Sequence, residues 1–179
     1  MEIAVTTTPA DRRRPRPGSA EGLGFGNHFS DHMFLMDHRE GAGWRDPRIV
    51  PYGPIPLQPA AMVLHYGQEI FEGLKAYYAA DGSICLFRPE MNAQRLNRSA
   101  ARLCMPEIPV ADQLRAIRAL VRTDRDWIPR ARGASLYIRP AMIATEGALG
   151  VRPSAEHLFI VITGPVGAYY ARGVEPVRI

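Results

Sequence analysis

In the run SLYIRP (135–140) a phenol, Tyr137, and a guanidinium, Arg139, stand two residues apart. Side chains alternate across an extended strand, so Ser135, Tyr137 and Arg139 share one face and Leu136 and Ile138 the other. A planar guanidinium beside a hydroxyl suits a carboxylate ligand held by a bidentate pair. A half-exposed sheet whose polar face meets water produces the same alternation. A second group, Arg95, Arg98 and Arg102, is spaced 3 and 4 and so lines one face of a helix, a row that fits either a phosphate grip or a solvated surface. Lys75 is the only lysine among 22 basic residues and the only side-chain amine able to form a Schiff base. No serine sits in a Gly-x-Ser-x-Gly context, no glycine-rich run matches a phosphate loop, and no His/Glu spacing matches a zinc site. His28 and His32 are four apart in a stretch that reads as strand, with no third ligand, so no metal is expected.

The chain that must position these groups has 179 residues, 46% of them hydrophobic and 22% charged, with a formal net charge of +4. These proportions describe a globular protein and exclude a collagen-like or fully disordered chain. One domain, or two small ones, can bury a core at this length. The basic residues are spread from position 12 to position 178 and interleaved with 18 acids, unlike the clustered face of a nucleic-acid binder, so no nucleic-acid partner is expected. The apolar runs fall far short of 18 residues, and no membrane span is expected. Cys85 and Cys104 form no CxxC or Cys/His pattern and follow no secretory signal, and they read as reduced, partly buried thiols of a cytoplasmic protein.

Residues 1–22 mix threonine, arginine, proline and glycine and read as a flexible leader. Residues 25–37 are aromatic-rich and short enough for a strand. Gly41, Gly43 and Pro47 then break the chain, and Pro51, Pro54, Pro56 and Pro59 keep it irregular to Ala60. Met62, Leu64, Ile70, Phe71 and Leu74 predict a helix over 61–74. Asp81-Gly82 between the runs 76–79 and 84–87 predicts a hairpin. Pro89 opens a second helix reaching Leu103, with Ala93, Leu96, Ala100 and Leu103 as its buried stripe. A third helix spans 111–126 with Leu114, Ile117, Leu120 and Val121 inward. Strands over 135–145 and 157–164 flank a glycine-containing loop at 146–153. The sum is an α/β domain with a polar strand face and a basic helix face.

Five strings in order, FGNHFSDHMFLMD, LHYGQEIFEGLKAY, LFRPEMNAQRLNRSAARL, SLYIRPAMIATEGALGV and GPVGAYYARG, resemble the branched-chain amino-acid aminotransferases. These are class IV enzymes dependent on pyridoxal 5'-phosphate, and the resemblance runs from about Gly24 to the last residue. It implies the small N-terminal α/β (α+β) domain of the D-amino-acid-aminotransferase-like fold, a mostly antiparallel sheet with packed helices, over 23–171. Residues 172–179 would then begin the connection to a second domain. By resemblance Arg95 matches the arginine that binds the cofactor phosphate. Tyr66, Phe71 and Lys75 match the substrate side of the pocket, Phe25 and Tyr169 its apolar walls, and Tyr137 and Arg139 the pair that handles the carboxylate of the acidic co-substrate. Leu149 and Val151 match residues that reach across a dimer interface into the neighbouring pocket.

In the family the lysine that carries the cofactor lies in the second domain, beyond the point matched by Ile179, and Lys75 does not match it. The resemblance therefore implies no catalytic residue within these 179 residues, which by themselves are expected to be inactive. The implied reaction of the complete homodimer moves the amino group of leucine, isoleucine or valine to 2-oxoglutarate, giving glutamate and a branched-chain 2-oxo acid. Two other readings stand beside it: a D-amino-acid aminotransferase or aminodeoxychorismate lyase of the same fold, and a non-catalytic domain that binds a partner through the face meant for the missing half.

Overall fold

Period-two alternation and 3.6-residue stripes sort into a single sheet with helices on one face in a computed structural model that describes residues 1–17 and 22–167. The elements are β1 (Ala4–Val5), β2 (His32–Arg39), β3 (Gly43–Pro51), α1 (Met62–Tyr66), β4 (Glu69–Phe71), β5 (Leu74–Tyr78), β6 (Ile84–Leu86), α2 (Pro89–Arg102), α3 (Val110–Thr123), β7 (Ser135–Ala144) and β8 (Glu156–Val166). Strand order is β1-β3-β2-β8-β7-β5-β6, with β4 also paired to β7. Every pairing is antiparallel except β1 with β3.

Helices α2 and α3 cover one face of this sheet. Leu96 and Ala100 of α2 and Ile117 and Leu120 of α3 pack on Phe34, Leu136, Ile138, Met142, Phe159 and Val161. Each large apolar side chain so buried contributes on the order of 1.5–3 kcal/mol. The far face holds a smaller cluster of Met33, Leu35 and Leu158. Because Leu136 and Ile138 point under the helices, strand alternation sends Tyr137 and Arg139 to the uncovered side, where both are half-buried.

The second helix, the hairpin and the last two strands lie where the sequence places them, and four expectations are corrected. The helix expected over 61–74 is one short turn, α1, followed by strands β4 and β5. Gly67 ends the turn in the left-handed conformation (φ 60°), and Ile70 and Phe71 then find a ladder partner in β7. Pro47 does not break the chain: it lies within β3 at a register shift opposite Met36, where a proline leaves no ladder bond unmade. The first strand starts at His32, and residues 25–31 form a loop whose Ser30 and Asp31 side chains bond elsewhere in the fold. Cys85 and Cys104 are exposed, the first on the edge strand β6 and the second in the turn after α2.

Smaller differences have local causes. Leu103 is exposed because α2 ends at Arg102, and Gln113 takes the buried place expected of Leu114, its amide donating to Ala93 O, Asn97 Oδ1 and Ile108 O. Helix α3 stops at Thr123 since Asp124 turns to His32, whose Nδ1 lies 2.6 Å from Asp124 Oδ1. Residues 1–17, read as part of a flexible leader, carry β1 and a buried Thr8. Among the described residues no helix is long and apolar enough to cross a membrane.

The β2–β8 register sets His38 opposite His157, rings 5.8 Å apart. His157 is 2% exposed, and neither of its ring nitrogens has a hydrogen-bond partner among the described residues. Burial, reinforced by the neighbouring His38 and only partly offset by Glu146, pushes its pKa down to about 4. An unfolded histidine titrates at about 6.5, so between those values the unfolded chain takes up the proton first and stability falls as pH falls. This one group should cost about 2 kcal/mol on going from pH 7 to pH 5. Urea unfolding at the two pH values checks it: the wild type should lose stability and His157→Leu should lose distinctly less.

Candidate active site

On the uncovered face Arg139 donates from Nε and Nη2 to the Tyr137 hydroxyl at 3.2 and 2.9 Å. Its guanidinium stacks over the Phe71 ring, 4.4 Å from the centroid. Phe25 meets the Tyr137 ring edge to face at 4.8 Å. Phe25, Tyr137 and Arg139, with His28 and Phe29 from the 25–31 loop and Ile162 and Thr163 of β8 behind, enclose a cavity of about 240 Å³. Lys75 stands opposite Tyr137 in the β5–β7 register, on the same face. One fixed cation among aromatic walls suits a ligand with a carboxylate and an apolar body.

The turn between β4 and β5 passes directly beneath Tyr137. At Gly73 any Cβ would collide with the Tyr137 hydroxyl, so only glycine lets the two approach. The preceding residue, Glu72, is 5% exposed, and its backbone N–H donates to Pro140 O at 2.9 Å. Arg95 of α2 grips its carboxylate with one edge, Nε to Oε1 and Nη2 to Oε2, the latter at 2.7 Å. Asn92 adds Nδ2 to Oε2 at 2.9 Å and to Gly73 O at 3.2 Å. Burial pushes the Glu72 carboxyl up, but the hydrogen bonds from Arg95, Asn92 and the Gly73 N–H, with the charge of Arg95, more than reverse this and leave it below the usual carboxylate range. The same pairing raises Arg95.

Arg95 therefore enters the site already held, its Nη1 side open where Arg98, Ser99 and Arg102 line a groove with Glu69 and Phe71. Phe71 lies at both the groove and the Arg139 stack, so the helix arginines and the strand pair are neighbours. Tyr66 lies in a different contact, its hydroxyl donating to Leu149 O. The loop at 146–153 is fastened by Arg152, which pairs with both oxygens of Glu146, and by the Ala155 N–H to Glu146 Oε2 at 2.7 Å. Leu149 and Val151 stand out from it, 64% and 88% exposed.

The structure thus brings Phe25, Phe71, Lys75, Tyr137 and Arg139 together, with Arg95 adjoining, and groups Tyr66 with Leu149. Tyr169 and the connection expected from 172 lie outside the described residues. Sequence reading missed Glu72, Gly73 and Asn92, all inside strings it had marked. The signal was an acid directly before a glycine in FEGLKAY, hidden by reading that stretch as helix. His28 lines the cavity and His32 is spent on Asp124. Among the described residues no group of three or more His, Cys, Asp or Glu side chains is placed to hold a metal.

No protein-family model matches the chain. Curated proteins do: it is 51% identical over 177 residues to branched-chain-amino-acid aminotransferase 2 of Bacillus subtilis and 57% identical over 157 residues to a probable branched-chain-amino-acid aminotransferase of Streptomyces coelicolor. Along nearly its whole length the chain is homologous to branched-chain aminotransferases. Those alignments cover 99% and 87% of this chain but 48% and 43% of the relatives, so the chain spans about half the length of the curated aminotransferases it matches. Among solved structures, the branched-chain aminotransferase of Thermoproteus uzoniensis with norvaline shares the fold at TM-score 0.63 and 23% identity, over 82% of this chain and 44% of that one. The T.th. branched-chain aminotransferase complexed with N-(5'-phosphopyridoxyl)-L-glutamate matches at TM-score 0.56 and 28% identity, over 73% and 40%.

Glu72 supplies a direct test of how α2 is held to the β4–β5 turn. In Glu72→Gln the ion pair with Arg95 becomes a contact between a cation and a neutral amide, which should cost about 1–2 kcal/mol. The native carboxyl, depressed in the fold, stabilises above the unfolded carboxylate pKa of about 4.3 and loses that contribution as pH falls below it. Thermal melts should therefore show the wild type and the variant converging toward pH 3; melts that coincide at pH 7 would remove Glu72 as an anchor.

Proposed function

We propose that the whole protein is a branched-chain-amino-acid transaminase that passes the amino group of leucine, isoleucine or valine to 2-oxoglutarate with pyridoxal 5'-phosphate. The observation that carries this reading is the Tyr137–Arg139 pair, fixed under aromatic walls on the one sheet face the helices leave open. The names of the relatives support it, as do the amino-acid and phosphopyridoxyl ligands of the structural neighbours.

Within this reading Arg139 binds the side-chain carboxylate of the acidic co-substrate. The Tyr137 hydroxyl, an acceptor from Arg139, keeps its own proton to donate to the same carboxylate. Phe25 and Phe71 face the branched side chain and exclude water around it. Arg95, with Glu72 holding its Nε and Nη2 edge, offers the outer Nη1 to the cofactor phosphate. The fit is that of an anion receptor already pre-aimed by a buried carboxylate. When bound, pyridoxal phosphate supplies the electron sink for chemistry at the α-carbon. Tyr66 and Lys75 border the substrate, and the exposed Leu149 and Val151 reach toward a second copy in a homodimer.

Glutamate formation from leucine and 2-oxoglutarate by the purified full-length protein is the first test. Arg139→Ala should raise KM for 2-oxoglutarate about 10- to 100-fold, the range expected for losing a charge-assisted pair, and move KM for leucine much less. Arg95→Ala should weaken cofactor affinity about 10-fold or more, read by spectroscopic titration with pyridoxal phosphate. Turnover of D-alanine in place of leucine would assign the site to a D-amino-acid aminotransferase instead.

A further inference from the structure

The cavity wall at 25–29 is built from loop and not from sheet, and the residues from 24 to 28 are all exposed. Backbone bonds tie the loop at its two ends, Ser30 N–H to Thr163 O of β8 at 2.8 Å and Gly167 N–H, just past β8, to Gly24 O at 3.2 Å. On its outer side it is gripped by a residue from the N-terminal segment. Arg14 donates from Nη1 to the carbonyls of Ser30 at 3.3 Å and Phe29 at 3.5 Å, and from Nη2 to Tyr52 O at 3.4 Å. Its guanidinium lies 4.3 Å from the centroid of the Tyr52 ring, which itself stacks on Phe29 at 5.0 Å.

The segment that delivers Arg14 is locked in place. Its backbone N–H bonds Asp31 Oδ1 at 2.9 Å, while Asp31 Oδ2 accepts from Trp127 Nε1 at 2.9 Å. Upstream, Thr8 N–H donates to His32 Nε2 at 2.8 Å and Thr8 Oγ1 to Asp31 O at 3.1 Å, and β1 adds a strand beside β3. Asp31, His32 and Asp124 are all buried. A carbonyl accepts readily from water, so three carbonyls and an aromatic ring converging on one guanidinium mark a fixed position more than a gain in stability.

We infer that Arg14 is a positioning residue for the Phe25–Phe29 wall, and that the N-terminal segment thereby sets how the cavity fits an apolar substrate side chain. The second clause rests on the transaminase reading; the first does not. Arg14→Ala removes the grip, and Arg14→Lys keeps the charge but cannot span three carbonyls and stack. Both variants of the full-length protein are compared with the wild type by amide hydrogen exchange and by the ratio of kcat/KM for leucine over alanine.

Amides of 24–30 should exchange 10-fold faster or more in Arg14→Ala, and several-fold faster in Arg14→Lys, with β7 and β8 unchanged. The leucine-to-alanine ratio should fall at least threefold, because a loosened wall penalises the larger side chain. Wild-type exchange at 24–30 in both variants, or equal acceleration throughout the sheet, would overturn the positioning role. Faster local exchange with an unchanged ratio would overturn the selection role. A wild type that turns over neither amino acid would sink the transaminase reading alone. Exchange would then still decide the first clause, and the affinity of the three proteins for 4-methylvaleric acid by equilibrium dialysis would decide the second.

Discussion

A carboxylate taken out of water must be matched by donors, and at Glu72 that requirement organises the site. Two donors of Arg95, the amide of Asn92 and the Gly73 N–H all meet it, so α2 cannot shift against the β4–β5 turn without stranding a buried charge. The turn so fixed passes under the Tyr137 hydroxyl at the one residue without a Cβ, and Tyr137 in turn holds Arg139. A chain of contacts thus runs from a helix arginine, through a buried acid and a glycine, to the strand pair that faces the cavity. Arg95 and Arg139 are oriented by the protein itself, which lowers the ordering cost of binding an anion at either.

The sheet supplies the other half of the arrangement through its asymmetry. Helices α2 and α3 bury one face with apolar packing, aliphatic and aromatic. The opposite face keeps only a small apolar cluster and leaves aromatic residues and an arginine partly in solvent. Buried polar groups at the edge of the core fall into two kinds. Around Asp31, His32 and Asp124, partners come from residues 8, 14 and 127 and from one another, and every carboxylate oxygen and ring nitrogen has one. At His157 neither ring nitrogen has one among the described residues, and the cost of burial appears as a depressed pKa.

Much of this fold is legible locally. Pro89 with the stripe Ala93, Leu96 and Ala100 places α2, Asp81-Gly82 places the hairpin, and the alternation in SLYIRP sends Tyr137 and Arg139 to one face. Residues 61–74 mislead because Ile70, Phe71 and Leu74 suit a helix stripe as well as a strand, and the pairing of β4 and β5 with β7, more than 60 residues downstream, decides. The N-terminal segment misleads for a related reason. Its threonines, arginines and prolines have no apolar pattern, and its order comes from polar partners at positions 31, 32 and 52 that composition does not reveal.

By itself the sequence determined the period of α2, α3, β7 and β8, the face on which the residues of β7 lie, and, through ordered strings, the family that the chain resembles. Those are properties of neighbours a few residues apart, where backbone geometry leaves few choices. Only the tertiary structure decided that Glu72 is the partner of Arg95, that Phe25 closes over Tyr137, and that Arg14 reaches the carbonyls of Phe29 and Ser30. Each joins residues far apart in the chain. Many partners satisfy a charge or a ring equally well in the unfolded chain, and packing of the whole sheet selects one of them.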